Sequence, residues 1–241
     1  MSTEVASKAP GQLRGLLRAA HPRQALAFAI VVGLLVALMG RPVREVLAAA
    51  VAILVAQLVM GLVNDLCDVR RDQRSEAQDK PVAEGLVPSG NASFAVAVLL
   101  LLVLPLSLQN GIAAGLFLLA TLVVGLVHNR FLHTTTLSFV GWAATFALLT
   151  YFVTLGGWGG EADGSRPVTA FVVLCALLGV CVHFLTSLPD LVADNKSGAR
   201  NLPLRVALRT GAPRLLVVSL VVTALVVAGI VYTALTAGIA L

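Results

Sequence analysis

The stretch "NDLCDVRRD", residues 64–72, lies where a long apolar run gives way to charged residues. Asp65, Asp68 and Asp72 are spaced so that, on an α-helix, positions i, i+3 and i+7 share one face. Like charges on one stripe repel each other, and this repulsion destabilises a bare helix. A divalent cation between the carboxylates would offset it, and oxygen ligands suit hard ions such as Mg²⁺ or Ca²⁺.

The composition indicates a membrane protein. Of its 241 residues, 58% are hydrophobic and only 12% are charged. Seven apolar runs approach or reach the roughly 20 residues that cross a bilayer as a helix. The runs cover approximately residues 24–40, 45–63, 92–108, 111–128, 136–156, 168–189 and 213–240. They are continuously apolar rather than alternating, which predicts membrane-spanning helices and not a β-barrel.

The distribution of basic residues predicts the orientation. With the N-terminus inside, 14 of the 17 lysines and arginines lie in inner segments, leaving only Arg41, Arg44 and Arg166 outside. Cytoplasmic segments carry such an excess. We therefore expect a multi-pass protein of the cell membrane with its N-terminus and Asp65 cytoplasmic and its C-terminus outside. The net charge of +5 then reflects topology, and no nucleic-acid partner is expected.

The first 23 residues are polar and basic for longer than a short cleaved signal peptide, so we expect a retained cytoplasmic segment. Residues 24–241 are expected to form a single transmembrane domain.

A second acidic cluster follows the sixth apolar run, where Asp190 and Asp194 are four residues apart. An even number of runs separates it from the first cluster, so both should lie at one membrane surface. Helices two and six could then face each other across an acidic cavity. Lys80, Lys196 and Arg200 would suit a polyanion bridged to bound metals. The alternative is that such residues are solvated helix caps and interface anchors.

These residues match a known pattern. Asn64-Asp65-x-x-Asp68-x-x-x-Asp72, with "KP" at 80–81 and a glycine at 85, resembles the first signature of the UbiA superfamily of intramembrane prenyltransferases. Asp190-x-x-x-Asp194, with a glycine at 198 and "NLP" at 201–203, resembles the second. The resemblance covers about residues 24–235.

The resemblance implies an all-α, polytopic transmembrane helix bundle that binds Mg²⁺ and a prenyl diphosphate. Such an enzyme transfers the prenyl group to a lipophilic, commonly aromatic, acceptor. The expected metal ligands are Asp65, Asp68, Asp72, Asp190 and Asp194. The expected catalytic residues are Asp65, Asp68, Asp190 and Asp194. The expected substrate contacts are Asn64, Asp72, Lys80, His128, Arg130, His133, Lys196 and Arg200.

The chain departs from the family pattern in three places. The family usually has nine transmembrane helices and this sequence predicts about seven, the missing two falling after the second motif. A family element of the Tyr-x-x-x-Lys kind is replaced by "HNRFLH", residues 128–133. His128 and His133 stand near the Tyr and Lys positions beside Arg130, where diphosphate contact and a simple interfacial role are the two alternatives. "NLP" also replaces the commoner "TLP".

Two other functions stay open. A terpene cyclase of the same type would ionise the prenyl diphosphate without an acceptor, whereas a non-catalytic membrane subunit or transporter would not need all five acidic positions. In the last run, Gly229, Ala234 and Gly238 recur at near-helical spacing. Small residues let helices approach closely, so this run could pack against another protomer or a partner subunit, with lipid contact as the alternative.

The orientation can be tested by cysteine labelling. In a cysteine-free background, Ser75→Cys and Ser197→Cys should react with a membrane-impermeant reagent only from the cytoplasmic side. Labelling of either position from outside would contradict the topology.

Overall fold

The computed structural model describes residues 3–75, 79–158 and 164–239. Part of the predicted outer loop, residues 159–163, and the end of the last predicted run lie outside these ranges. The helices are α1 (Thr3–Ala19), α2 (Pro22–Leu38), α3 (Val43–Ser75), α4 (Ser89–Leu108), α5 (Ile112–Val127), the π-helical segment (His128–Leu132), α6 (Ser138–Leu155), α7 (Thr169–Ser187), α8 (Leu191–Ser197), α9 (Leu202–Thr210) and α10 (Ala212–Thr236).

The helices confirm the predicted all-α, polytopic class. Within the described ranges, six are long and apolar enough to cross a membrane by length and composition. A seventh span results if Gly11–Ala19 and Pro22–Leu38, which meet at a bend of 47°, are counted together. The N-terminal segment is therefore helical from Thr3 to Ala19 and meets α2 at a bend, which the sequence pattern did not predict.

Two helices end at other residues than the apolar runs that predict them. The second apolar run ends near residue 63, whereas α3 continues to Ser75, in agreement with the helical spacing of Asp65, Asp68 and Asp72. Residues 64–75 contain no glycine or proline, so nothing in the backbone stops the helix. The sixth run was expected to reach residue 189, but α7 ends at Ser187. Pro189 lacks the N–H needed to continue the helix, and a separate short helix begins at Leu191.

The chain divides into two compact units, the first reaching Leu106 and the second beginning at Ser107. In the first, α2 packs along α3, and α1 also contacts α3. Gly61 lets the corner between α1 and α2 approach closely, since a Cβ there would lie 2.5 Å from the Ala20 carbonyl oxygen. A small apolar core forms around this corner. It comprises Ala19, Ala20, Leu62, Val82, Val87 and Ala92.

In the second unit, α6 packs between α5 and α7, and α7 also packs against α10. Gly179 of α7 permits a close crossing with α6, because a Cβ there would lie 2.5 Å from the Trp142 carbonyl oxygen. Helices gain no hydrophobic driving force from associating in lipid, so such close backbone approach is a main source of their attraction.

Gly229 also packs within the chain. A Cβ at this position of α10 would lie 3.2 Å from the Leu174 side chain of α7. Leu174 of α7 is therefore one neighbour of Gly229 within the chain. Packing of α10 against another protomer or a partner subunit stays a prediction.

The close crossing at Gly179 generates a stability prediction. Gly179→Ala should lower the midpoint of thermal unfolding by several degrees, because overpacking against backbone typically costs about 1–3 kcal/mol. Gly90→Ala is the matched control, since a Cβ on Gly90 meets nothing within 4 Å. Equal midpoints for the two purified variants would contradict the packing.

Candidate functional site

One buried face of α3 carries the first acidic motif. The exposed fractions of Asp65, Asp68 and Asp72 are only 1%, 3% and 4%. Because α3 is helical through all three, they share one face, as the spacing predicts. Burying a charged carboxylate is costly unless other groups compensate for its charge. The surroundings of the stripe therefore determine what it can do.

Two basic side chains compensate for these carboxylates. The Lys80 ammonium donates a hydrogen bond of 3.1 Å to Asp65 Oδ1 and lies 3.5 Å from Asp72 Oδ2. Arg71 donates a 2.7 Å hydrogen bond to Asp68 Oδ2, and its Nε lies 3.8 Å from Asp72 Oδ1. Lys80 was expected to contact substrate, and here it joins two of the acidic residues. Arg71 was missed as a site residue, although its position three residues after Asp68 is a signal for such a pair.

A compact turn holds Lys80 in place. Its backbone N–H donates to Glu84 Oε1 at 3.0 Å, and the Val87 N–H donates to the Pro81 carbonyl at 3.1 Å. Pro81 and Val87 are buried. Gly85 adopts a φ of +74°, a left-handed conformation that favours glycine. The segment after α3 is thus docked by its apolar side chains, and this docking directs Lys80 towards Asp65.

The charge state of Lys80 follows from its surroundings. Burial alone would lower the pKa of its ammonium, but the carboxylates of Asp65 and Asp72 raise the pKa above its ordinary value. The side chain therefore stays charged at neutral pH and remains an ion-pair partner of the acidic stripe.

His21 is a second neighbour of Asp65 that the sequence pattern did not single out. It lies at the corner between α1 and α2 with a left-handed φ of 49°, and its Nε2 is 3.5 Å from Asp65 Oδ1. Only the folded corner brings these residues together. The other oxygen, Asp65 Oδ2, is buried and has no hydrogen-bond partner among the described residues.

The donor set fits a hard divalent cation. Among the described residues, no N–H or O–H group donates to Asp65 Oδ2, and the carboxylates of the stripe lie against the cationic side chains of Lys80 and Arg71. In the ranges that the structure describes, no three His, Cys, Asp or Glu side chains are arranged as a complete metal cage. Mg²⁺ does not require one, because it usually takes one or two carboxylates and completes its shell with phosphate oxygens and water.

The second acidic motif begins α8. Asp190 is the exposed N-cap residue, and the Asp194 N–H donates to its carbonyl at 2.8 Å, so the two aspartates are one helical turn apart. Asp194 Oδ2 accepts a 2.6 Å hydrogen bond from Asn201 Nδ2. Asn201 is buried and caps α9 by accepting from the Leu204 N–H at 2.9 Å. Asn201 was not among the expected site residues, although "NLP" contains it.

The remaining basic residues of this motif are exposed. Lys196 lies in the last turn of α8, and the Arg200 side chain also faces outwards. The Arg200 backbone N–H donates a 2.7 Å hydrogen bond to the Thr134 carbonyl. On α3, Asn64 is half-buried next to Asp65. Substrate contact by these side chains stays a prediction.

The two predicted histidines lie at opposite ends of one π-helical turn. The His133 N–H donates to the His128 carbonyl at 3.0 Å, and the two ring centroids are 6.4 Å apart. His128 fits against Gly141 of α6, where a Cβ would lie 2.5 Å from its Nδ1. Arg130 is exposed, with its guanidinium 5.2 Å from the centre of the Phe131 ring.

A third histidine, His183 of α7, joins this group and was missed. Its ring is buried, stacks on Trp142 at 5.7 Å and lies 6.3 Å from the ring of His128. A lone histidine inside an apolar run gives no pattern from which this contact could be predicted. The predicted diphosphate contacts of His128 and His133 stay untested.

The fold and the two acidic motifs define a polytopic helical membrane protein with clustered carboxylates at the ends of its spans. The sequence profile of the UbiA prenyltransferase family matches residues 25–241, and the chain belongs to this family. No sequence match to a curated protein accompanies this assignment.

Solved structures share the fold at low sequence identity. A UbiA homologue from Archaeoglobus fulgidus, bound to GPP and Mg²⁺, superposes with a TM-score of 0.72 at 18% identity over 92% of this chain and 78% of the other. The same homologue bound to DMAPP and Mg²⁺ gives 0.71 at 18% identity over 91% and 77%. A structure described for digeranylgeranylglyceryl phosphate synthase gives 0.60 at 18% identity over 89% and 77%.

The ion pairs of Lys80 generate a test in the metal-free protein. In EDTA, Lys80→Met should lower the unfolding midpoint clearly, because removing one partner of a buried ion pair costs about 3–5 kcal/mol. Lys196→Met is the matched control, since Lys196 is exposed. A midpoint for Lys80→Met equal to that of the control would show that the ammonium does not stabilise the acidic stripe.

Proposed function

We propose that this protein is an Mg²⁺-dependent integral membrane prenyltransferase. It takes the prenyl group of a prenyl diphosphate and transfers it to a lipophilic acceptor, most simply an aromatic one. Family membership and the Mg²⁺ and prenyl diphosphates in the Archaeoglobus fulgidus structures support this proposal. The observation that carries it is the buried Asp65–Asp68–Asp72 stripe, in which Asp65 Oδ2 has no hydrogen-bond partner in the part of the chain that the structure describes.

The carboxylates of the first motif have the role of binding Mg²⁺, with Asp65 as the principal ligand. When bound, Mg²⁺ supplies charge stabilisation for the diphosphate as a leaving group. Lys80 has a flexible four-carbon side chain and already lies between Asp65 and Asp72. We assign it to the diphosphate oxygens, which would replace one of its carboxylate partners. Arg71 keeps Asp68 oriented, and Asn64 adds a polar contact beside Asp65.

The second motif has a matching role. Asp190 and Asp194 are assigned to metal binding, and Asp194 is already oriented by Asn201. The exposed cations Lys196 and Arg200 are assigned to the diphosphate, together with Arg130 and the histidines His128 and His133. These basic groups neutralise a polyanion that would otherwise be repelled by the carboxylates.

The proposed reaction breaks one bond at the allylic carbon and forms another. The bond between the allylic carbon C1 and the diphosphate oxygen breaks, and its electron pair leaves with the diphosphate. The acceptor then donates an electron pair to C1 and loses a proton, so that charge and atoms balance. A membrane location suits this reaction, because the prenyl chain partitions into lipid while the diphosphate needs the aqueous edge.

We further propose that the protein lies in the cell membrane with both Asp motifs and the N-terminus in the cytoplasm. The charge asymmetry of the sequence supports this orientation. The family match over residues 25–241 supports treating residues 24–241 as one functional domain.

Product analysis tests the proposed function. Purified protein in lipid, Mg²⁺ and radiolabelled geranyl diphosphate should yield a prenylated product with at least one acceptor from a panel of lipophilic phenols and quinols. Asp65→Asn and Asp190→Asn should each reduce turnover by several orders of magnitude, because each removes a charged ligand from a site with few protein ligands. EDTA should do the same.

Glu84→Gln is the control, since it removes an exposed carboxylate near the motif but keeps an oxygen for the Lys80 N–H. It should retain wild-type turnover. A labelled hydrocarbon or alcohol formed equally well without acceptor would indicate a cyclase instead of a transferase. Wild-type turnover by Asp65→Asn at limiting Mg²⁺ would overturn the assignment of the carboxylates.

A further inference from the structure

Two hydrogen bonds through Ser138 connect the buried His183 to the chain segment beside the second acidic motif. Ser138, the first residue of α6, is fully buried, and its hydroxyl lies 2.8 Å from His183 Nε2. The same hydroxyl accepts a 3.3 Å hydrogen bond from the Leu202 N–H. On the other side of the ring, Ser187 Oγ lies 3.4 Å from His183 Nδ1 and donates to the His183 carbonyl at 2.7 Å.

The positions of the hydrogens in this network follow from which groups can donate and which can accept. Ser138 accepts from Leu202, so its own hydrogen is free to go to His183 Nε2. Ser187 gives its hydrogen to the His183 carbonyl, so its oxygen is free to accept from Nδ1. A neutral His183 with its proton on Nδ1 therefore satisfies every group in the network, a tautomer inferred from hydrogen bonding. Fully satisfied buried networks of this kind hold their members in one arrangement.

Asn201 lies between two anchored neighbours. Leu202 is held by Ser138, and Arg200 is held by the bond from its N–H to the Thr134 carbonyl, at 2.7 Å. Thr134 and Ser138 belong to one short segment that leads into α6. Asn201 is thus fixed from both sides, and its amide donates the 2.6 Å hydrogen bond to Asp194 Oδ2.

We propose that Ser138 and His183 are positioning residues for the second acidic motif. They fix the segment around Asn201, and Asn201 in turn orients the Asp194 carboxylate so that its other oxygen faces a divalent cation. This inference rests on the proposed function, because it assigns Asp194 to metal binding. Groups that orient a metal ligand without touching the metal typically change metal affinity by about 10- to 100-fold when they are removed.

The inference is tested by metal binding instead of turnover. The full chain, purified in detergent, is titrated with Mn²⁺ in the presence of geranyl S-thiolodiphosphate, an analogue that resists ionisation, and bound Mn²⁺ is followed by electron paramagnetic resonance. Ser138→Ala and His183→Phe should each weaken Mn²⁺ binding by about tenfold or more. They should also change the resonance spectrum of the bound ion.

Two further variants separate positioning from folding. Asn201→Ser keeps an oxygen that can cap α9 but lacks the amide Nδ2 that donates to Asp194 Oδ2, so it should weaken Mn²⁺ binding without lowering the unfolding midpoint of the metal-free protein. His183→Gln keeps a polar group towards Ser138 and should restore most of the affinity lost in His183→Phe. Thr150→Val is the matched control, because the Thr150 hydroxyl, also on α6, donates to the Ala147 carbonyl of its own helix.

The possible results distinguish failure of the proposed function from failure of the positioning role. A wild-type chain that does not bind Mn²⁺ with the analogue would contradict the proposed function itself. A wild-type chain that binds, with Asn201→Ser and folded Ser138→Ala binding equally well, would overturn the positioning role alone. Loss of affinity in Thr150→Val to the same extent would also overturn it, since any lost hydroxyl on α6 would then suffice.

Discussion

Three ionised carboxylates on one buried helical face need positive charge against them, because burying an uncompensated charge is costly. In this protein Asp65, Asp68 and Asp72 are nearly inaccessible, and Lys80 and Arg71 provide that charge. The turn after α3 is docked by buried apolar side chains, and this docking directs the Lys80 ammonium towards Asp65. The helix α3 is longer than a membrane span requires, because it carries the acidic stripe beyond its apolar part.

The same arrangement suits the proposed cation site, although the described residues form no complete metal cage. Lys80 and Arg71 place positive charge against the acidic stripe, and no N–H or O–H group of the described residues donates to the buried Asp65 Oδ2. An ammonium group at the end of a flexible four-carbon side chain can give way to a divalent ion more readily than a packed apolar group can. In the second motif, the group that donates to Asp194 is the neutral amide of Asn201 and not a cation.

Much of the fold was predictable, because membrane-spanning helices are marked by apolar runs of known length. The stripe of α3 was predictable as well, since helical spacing alone places Asp65, Asp68 and Asp72 on one face. The ends of α3 and α7 differ from those of the apolar runs, because hydropathy reports the membrane and not the hydrogen bonding that continues or stops a helix. His21 and His183 were missed because their partners, Asp65 and Ser138, are distant in sequence and meet only through packing. The contact of Gly229 with Leu174 could not be predicted, because spacing shows where small residues recur on a helix but not which neighbour they meet.

The central claim is that the Asp65 stripe binds a divalent cation together with a prenyl diphosphate. Calorimetric titration of geranyl S-thiolodiphosphate into the purified chain tests it most directly. The account predicts binding in Mg²⁺, no measurable binding in EDTA, and loss of the Mg²⁺-dependent heat in Asp65→Asn. Equal binding with and without Mg²⁺, or full Mg²⁺-dependent binding by folded Asp65→Asn, would contradict it.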